Sequence, residues 1–226
     1  MKRRVKALLS LNLDSRKTSH GLNILLLGCH ADDIEIGCGG TILKLLQNYS
    51  QLRVCWVVFS AEKERSLEAR KSASILLRSC KRKQVVIKNF KTSFFPFQAE
   101  KIKQYFEKLK HSFEPDILFT HYRHDLHQDH RVISDLAWNT FRDHLILEYE
   151  IPKYDGDLGT PNVFFQLEEG TVEQKIGHVL HHFKSQQSKH WFTSDTFRSL
   201  MRLRGIECAS KTRYAEAFYC RKLAVS

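Results

Sequence analysis

The stretch Asn23-Ile24-Leu25-Leu26-Leu27-Gly28-Cys29-His30-Ala31-Asp32-Asp33 decides how this chain is read. Its first part is an unbroken apolar run of strand length, the pattern of a strand buried on both faces, as in a parallel sheet. A histidine and two adjacent carboxylates stand at its exit, where parallel sheets gather their reactive groups. The arrangement recurs downstream, where Asp116-Ile117-Leu118-Phe119-Thr120 is followed by His127-Gln128-Asp129-His130.

Strand-like and helix-like segments alternate between and around these clusters. After the strand at 23–28 the spacing predicts a turn at Gly37-Cys38-Gly39-Gly40 and a helix over 41–47. It then predicts a strand over 52–60, a helix over 66–78, a strand over 84–87 and a helix over 99–111. Strand 116–120, helix 132–142 and strand 145–150 continue the rhythm. Such alternation implies parallel strands with right-handed crossovers, hence a three-layer α/β sandwich with a mainly parallel sheet. In the common 3-2-1-4-5 order the first and fourth strands are neighbours, and ligands bind at that switch point. The two clusters leave those two strands. Beyond Ile151 the pattern loosens into a Pro/Gly-rich loop, a strand over 163–167, helices over 171–186 and 194–204, and a last strand over 217–220. This third reads as a C-terminal cap region.

A chain of 226 residues, 42% hydrophobic and 27% charged, suits one globular domain. The expected division is a basic tail over 1–20 and a single domain over 21–226. No apolar stretch approaches a membrane span. The N-terminus has the basic start of a signal peptide, but Ser10, Asn12 and Asp14 soon interrupt its apolar part, so a cytoplasmic protein is expected. Six scattered cysteines without a CxxC pair read as small core residues of a reducing compartment. The net charge of +11, with pI near 9.4, fits a solvated basic surface or an anionic small-molecule partner. No run interleaves basic and aromatic residues as a nucleic-acid groove does, so no nucleic-acid partner is expected.

Zinc favours histidine nitrogen and carboxylate oxygen, and its catalytic sites use three protein ligands with a position left open. His30, Asp33 and His130 supply such a set. Asp32, not needed as a ligand, is left to act as general base toward water. His127 stands three residues before His130 and can steady an oxyanion or protonate a leaving amine. Asp129 is placed to orient a histidine. Either aspartate alone would more ordinarily be a helix cap, and a lone His130 a structural residue; the joint pattern on two adjacent strands is what favours a metal site. The Gly37–Gly40 stretch does not fit the dinucleotide-binding GxGxxG.

His30-Ala31-Asp32-Asp33-Ile34-Glu35-Ile36-Gly37-Cys38-Gly39-Gly40 resembles the (P)HPDD-x-x-x-G-x-GG signature of the PIG-L/LmbE-type N-deacetylases, and Leu126-His127-Gln128-Asp129-His130-Arg131 resembles their H-x-D-H motif. The resemblance extends to Tyr214-Ala215-Glu216-Ala217-Phe218. It implies a Rossmann-like fold, zinc, and removal of an acyl group, usually acetyl, from an N-acylated sugar; the basic charge adds an anionic, nucleotide- or lipid-linked conjugate as the expected form of that substrate. By carry-over His30, Asp33 and His130 are the zinc ligands, Asp32 the general base, His127 the electrostatic catalyst and Asp129 its support. Arg65 resembles an arginine the family uses near the substrate, although a solvated arginine at a helix start would look the same. Cys29 and Ala31 replace the motif's two prolines, which loosens the turn without removing a ligand. Two readings compete with deacetylation: metal-dependent hydrolysis of another amide or ester, and a basic binding module without catalysis.

Overall fold

The computed structural model describes residues 21–224; the expected basic tail over 1–20 lies outside them. Five parallel strands form the centre: β1 (Leu22–Gly28), β2 (Leu52–Val58), β3 (Arg82–Ile87), β4 (Ile117–His121) and β5 (Leu145–Tyr149). With β6 (Val163–Leu167) and β7 (Tyr214–Cys220) the sheet order is β3-β2-β1-β4-β5-β7-β6. The 3-2-1-4-5 order expected from the alternation is therefore present, and the C-terminal third extends it with two antiparallel pairings, β5 to β7 and β7 to β6.

The helices are α1 (Asp33–Asn48), α2 (Lys63–Leu76), α3 (Ala99–Ser112), α4 (Gln128–Thr140), α5 (Glu169–His182) and α6 (Ser194–Glu207). Side chains on a strand alternate between its faces, and the continuous run in β1 serves two cores at once. Ile24 and Leu26 pack with residues of α1, α2, α5 and α6. Leu25 and Leu27 pack with Ile102, Phe106 and Ile133 of α3 and α4. This is why β1, and likewise β2 with Val54, Trp56, Cys55 and Val57, lacks polar alternation. No helix among the described residues is long and apolar enough to cross a membrane.

One local expectation is corrected. Gly37-Cys38-Gly39-Gly40 is not a turn before a helix; α1 runs from Asp33 through it, broken only at Cys38, whose φ of −143° and ψ of 18° mark a kink. The glycines permit close packing instead. A Cβ at Gly37 would fall 2.2 Å from the Tyr149 ring, and one at Gly40 would fall 2.6 Å from Leu167 Cδ1. The amides that the kink frees, those of Gly40 and Thr41, donate to the Glu216 carboxylate at 2.9 and 2.6 Å. Lys175 Nζ pairs with the same carboxylate at 2.5 Å.

Candidate metal centre

The register aligning Ile24 with Ile117 and Leu26 with Phe119 brings the chain out of β1 and β4 side by side. His30-Ala31-Asp32-Asp33 turns directly into α1, and His127-Gln128-Asp129-His130 forms the first turn of α4. All four residues of the sequence-derived zinc and base set, His30, Asp32, Asp33 and His130, are brought into one place.

Three atoms define its centre. His30 Nδ1 lies 3.2 Å from His130 Nε2, His30 Nδ1 lies 3.4 Å from Asp33 Oδ2, and His130 Nε2 lies 3.6 Å from Asp33 Oδ2. A tetrahedral ion with bonds of about 2.0–2.1 Å spaces its ligand atoms about 3.4 Å apart, so the triangle fits such an ion. The opposite nitrogen of each ring is held by a carboxylate: His30 Nε2 by Asp129 Oδ2 at 3.2 Å, and His130 Nδ1 by Asp125 Oδ2 at 2.8 Å. Carboxylate-held imidazoles of this kind are the usual partners of a metal, because the hydrogen bond fixes the tautomer and leaves the other nitrogen free.

Electrostatics agree. Burial opposes a charge on His30, yet Asp33 and Asp129 together outweigh it and lift the ring to about 9. Burial likewise opposes ionisation of Asp33, but His130, His121 and His30 hold its carboxyl well below the usual range. Burial and then His121 push His130 down to about 3. The centre is thus an ionised carboxylate ringed by imidazoles that compete for positive charge, a demand one bound cation would meet.

Two neighbours went unnoticed in the sequence. His121 ends β4 one residue past the expected strand, wholly buried, with its ring stacked on His130 at 3.9 Å. It belongs with Cys29, Asp33 and His130 to one possible metal-holding group, while His30, His127 and His130 form another. His121 Nε2, however, accepts the Cys29 amide at 2.9 Å, which occupies its lone pair. The Cys29 thiol is pushed up by burial and by Asp33, and it packs in the core. Both therefore suit walls of the site better than ligands. The second overlooked residue is Asp125, whose Oδ1 accepts the His127 amide at 2.8 Å while Oδ2 holds His130. Its signal was its position two residues before His127, the spacing of a side chain that caps a helix start.

Asp32 sits at the N-cap of α1 but caps nothing with its side chain. Its Oδ1 instead meets Arg65 Nη2 at 2.5 Å. Burial raises the Asp32 pKa, with Arg65 working against the rise. Arg65 Nε is buried and has no acceptor among the described residues. The rings of His127 and His30 lie 4.9 Å apart, those of His127 and His130 4.6 Å. His127 Nδ1 accepts the Asp129 amide at 3.2 Å, so the neutral ring carries its proton on Nε2. Burial and then His30 lower the His127 pKa, which favours that neutral donor. Asp129 also receives the amides of Ser93 at 2.6 Å and Phe95 at 3.1 Å. Its carboxylate thus supports His30, and its backbone supports His127. His178, His181 and His182 of α5 cluster with one another instead; His178 bonds to Ser72 of α2 at 2.8 Å.

Comparison with known proteins places this geometry in a family. The family profile described as PIG-L, GlcNAc-PI de-N-acetylase, matches residues 25–141. A conserved protein from Thermus thermophilus superposes with a TM-score of 0.69 at 19% identity, over 91% of this chain and 97% of the other. The N,N'-diacetylchitobiose deacetylase of Pyrococcus horikoshii gives 0.64 at 19%, over 92% and 87%. A 4-carboxy-2-hydroxymuconate hydratase from Pseudomonas putida gives 0.72 at 15%, over 91% and 98%; these likenesses establish the fold. No curated protein matches the sequence itself. Through the match over 25–141, which spans both clusters, the chain belongs to the PIG-L family.

Proposed function

We propose that the protein is a zinc-dependent N-deacetylase of an N-acetylamino sugar or sugar conjugate, with His30, Asp33 and His130 as ligands. One observation carries the reading: the 3.2, 3.4 and 3.6 Å triangle of His30 Nδ1, His130 Nε2 and Asp33 Oδ2, with the far side of each imidazole tied to its own carboxylate. Membership of a family described by a de-N-acetylase and the fold shared with a diacetylchitobiose deacetylase support it. When bound, the ion supplies Lewis-acid polarisation of the amide carbonyl and a lowered water pKa.

The chain's own residues do the rest. Asp32, its pKa raised by burial, takes the proton of the attacking water as general base. His127 donates a hydrogen bond from Nε2 to the developing oxyanion, and the proton taken up by Asp32 passes on to the departing amine. Asp125 and Asp129 hold the imidazoles in the tautomers these roles need. Arg65, with one N–H still unpaired among the described residues, orients Asp32 and binds a substrate oxygen. The basic balance of the chain, +11, favours an anionic conjugate, nucleotide- or lipid-linked. All six cysteines are free, in keeping with a reducing, cytoplasmic setting.

The test is acetate release from a panel of N-acetylhexosamines in free, nucleotide-linked and lipid-linked form, using metal-loaded protein. Equal amounts of acetate and free amine from at least one conjugate are expected. Metal-dependent hydrolysis of a simple ester, with every N-acetyl sugar inert, would instead favour a hydrolase of other substrates on this scaffold.

A further inference from the structure

The carboxylate that organises the β4 exit, Asp125, has a partner from far along the chain. Lys153 lies in the segment between β5 and β6, and its Nζ is 3.0 Å from Asp125 Oδ2 and 2.5 Å from Asp157 Oδ2. It also donates to the Ile151 carbonyl at 3.4 Å. An ammonium has three protons and no acceptor; here each has an oxygen to meet. Asp157 in turn accepts the Leu126 amide at 2.7 Å, one residue before His127. The three charged side chains are nearly closed to solvent, at 9% for Lys153, 3% for Asp125 and 6% for Asp157.

Lys153 links the carboxylate behind His130 to the β5–β6 segment. Asp125 carries a full load on Oδ2, accepting from both His130 Nδ1 and Lys153 Nζ, so its rotamer is set from two sides. Asp157 and Lys153 together tie the β5–β6 segment to the loop that presents His127 and His130. We infer that Lys153 is a positioning residue, acting through Asp125, which fixes the His130 imbidazole for metal binding and fastens the β5–β6 segment beside the site. The inference rests on the reading of His130 as a metal ligand. A compact ammonium suits this post better than a guanidinium, whose flat fork cannot direct protons to three oxygens so disposed.

The experiment measures zinc affinity of the full chain by competition with a chromogenic chelator. Lys153→Met is expected to weaken binding about 10–100-fold, the usual cost of losing a partner behind a metal ligand, with Lys153→Arg recovering part of the loss. Because Lys153 acts through Asp125, the double variant Asp125→Asn/Lys153→Met should bind no worse than Asp125→Asn alone; additive losses would overturn the inference. Should Lys153→Met fail to fold, Lys153→Gln takes its place, and wild-type affinity in either folded variant would overturn it too. Failure of the wild type to bind zinc through His130 is a different result, and it removes the reading of the site as well.

Discussion

Two buried polar clusters lie along α1, and they are built on opposite principles. At the kink, Glu216 accepts the amides of Gly40 and Thr41 and pairs with Lys175, which also donates to the Ile36 carbonyl at 2.6 Å. Every charge there meets its complement, so the cluster is complete as it stands. At the N-terminal end, His30 Nδ1, His130 Nε2 and Asp33 Oδ2 face one another, and two imidazoles compete around one ionised carboxylate. On the proposed reading, a bound cation would complete that cluster. Burial alone does not mark a functional site; a set of acceptors turned toward one point does.

This contrast can be broken most severely at Asp32. Asp32→Asn should retain zinc and fold but lose about 10²–10⁴-fold in kcat, the range for removal of a general base; near-normal turnover would leave Asp32 a bystander. His127→Ala should lower kcat by about 10²-fold, as for loss of one oxyanion donor, with KM little changed and zinc retained. Loss of zinc in that variant would instead move His127 into the ligand set. Arg65→Met sharpens the picture through pH. The Arg65 cation works against the burial-raised pKa of Asp32, so its removal lets Asp32 take up a proton at higher pH. The acid limb of the kcat/KM profile should therefore move upward in pH, and an unmoved limb would uncouple the pair. For the structural cluster the expectation inverts: Glu216→Ala strands Lys175 and should cost about 3–5 kcal/mol of stability, read by denaturant unfolding. The remaining folded protein should bind zinc as the wild type does.

The side chains that meet at the candidate site were legible because each cluster follows a run too apolar to be anything but a doubly buried strand, and because the 3-2-1-4-5 order makes the first and fourth strands neighbours. What stayed hidden depends on contacts distant in sequence. Nothing near Gly37–Gly40 announces that the Tyr149 ring and the Glu216 carboxylate will hold a helix through three glycines, so local propensity read a turn. His121 was missed because the strand extends one residue further than its apolar run. Lys153 and Asp157 sit in a Pro/Gly-rich stretch whose pattern carries no sign of Asp125. The antiparallel addition of β6 and β7 is likewise a matter of long-range pairing, which strand propensity alone does not specify.

The most direct test of the account is the zinc content of wild-type protein and of His130→Ala after equilibration with limiting zinc and removal of free ion, with folding checked by circular dichroism. A single equivalent of zinc in the wild type, falling to background in folded His130→Ala, is the predicted result. Stoichiometric zinc in His130→Ala, or none in the wild type, would contradict the claim that the exits of β1 and β4 form one metal centre.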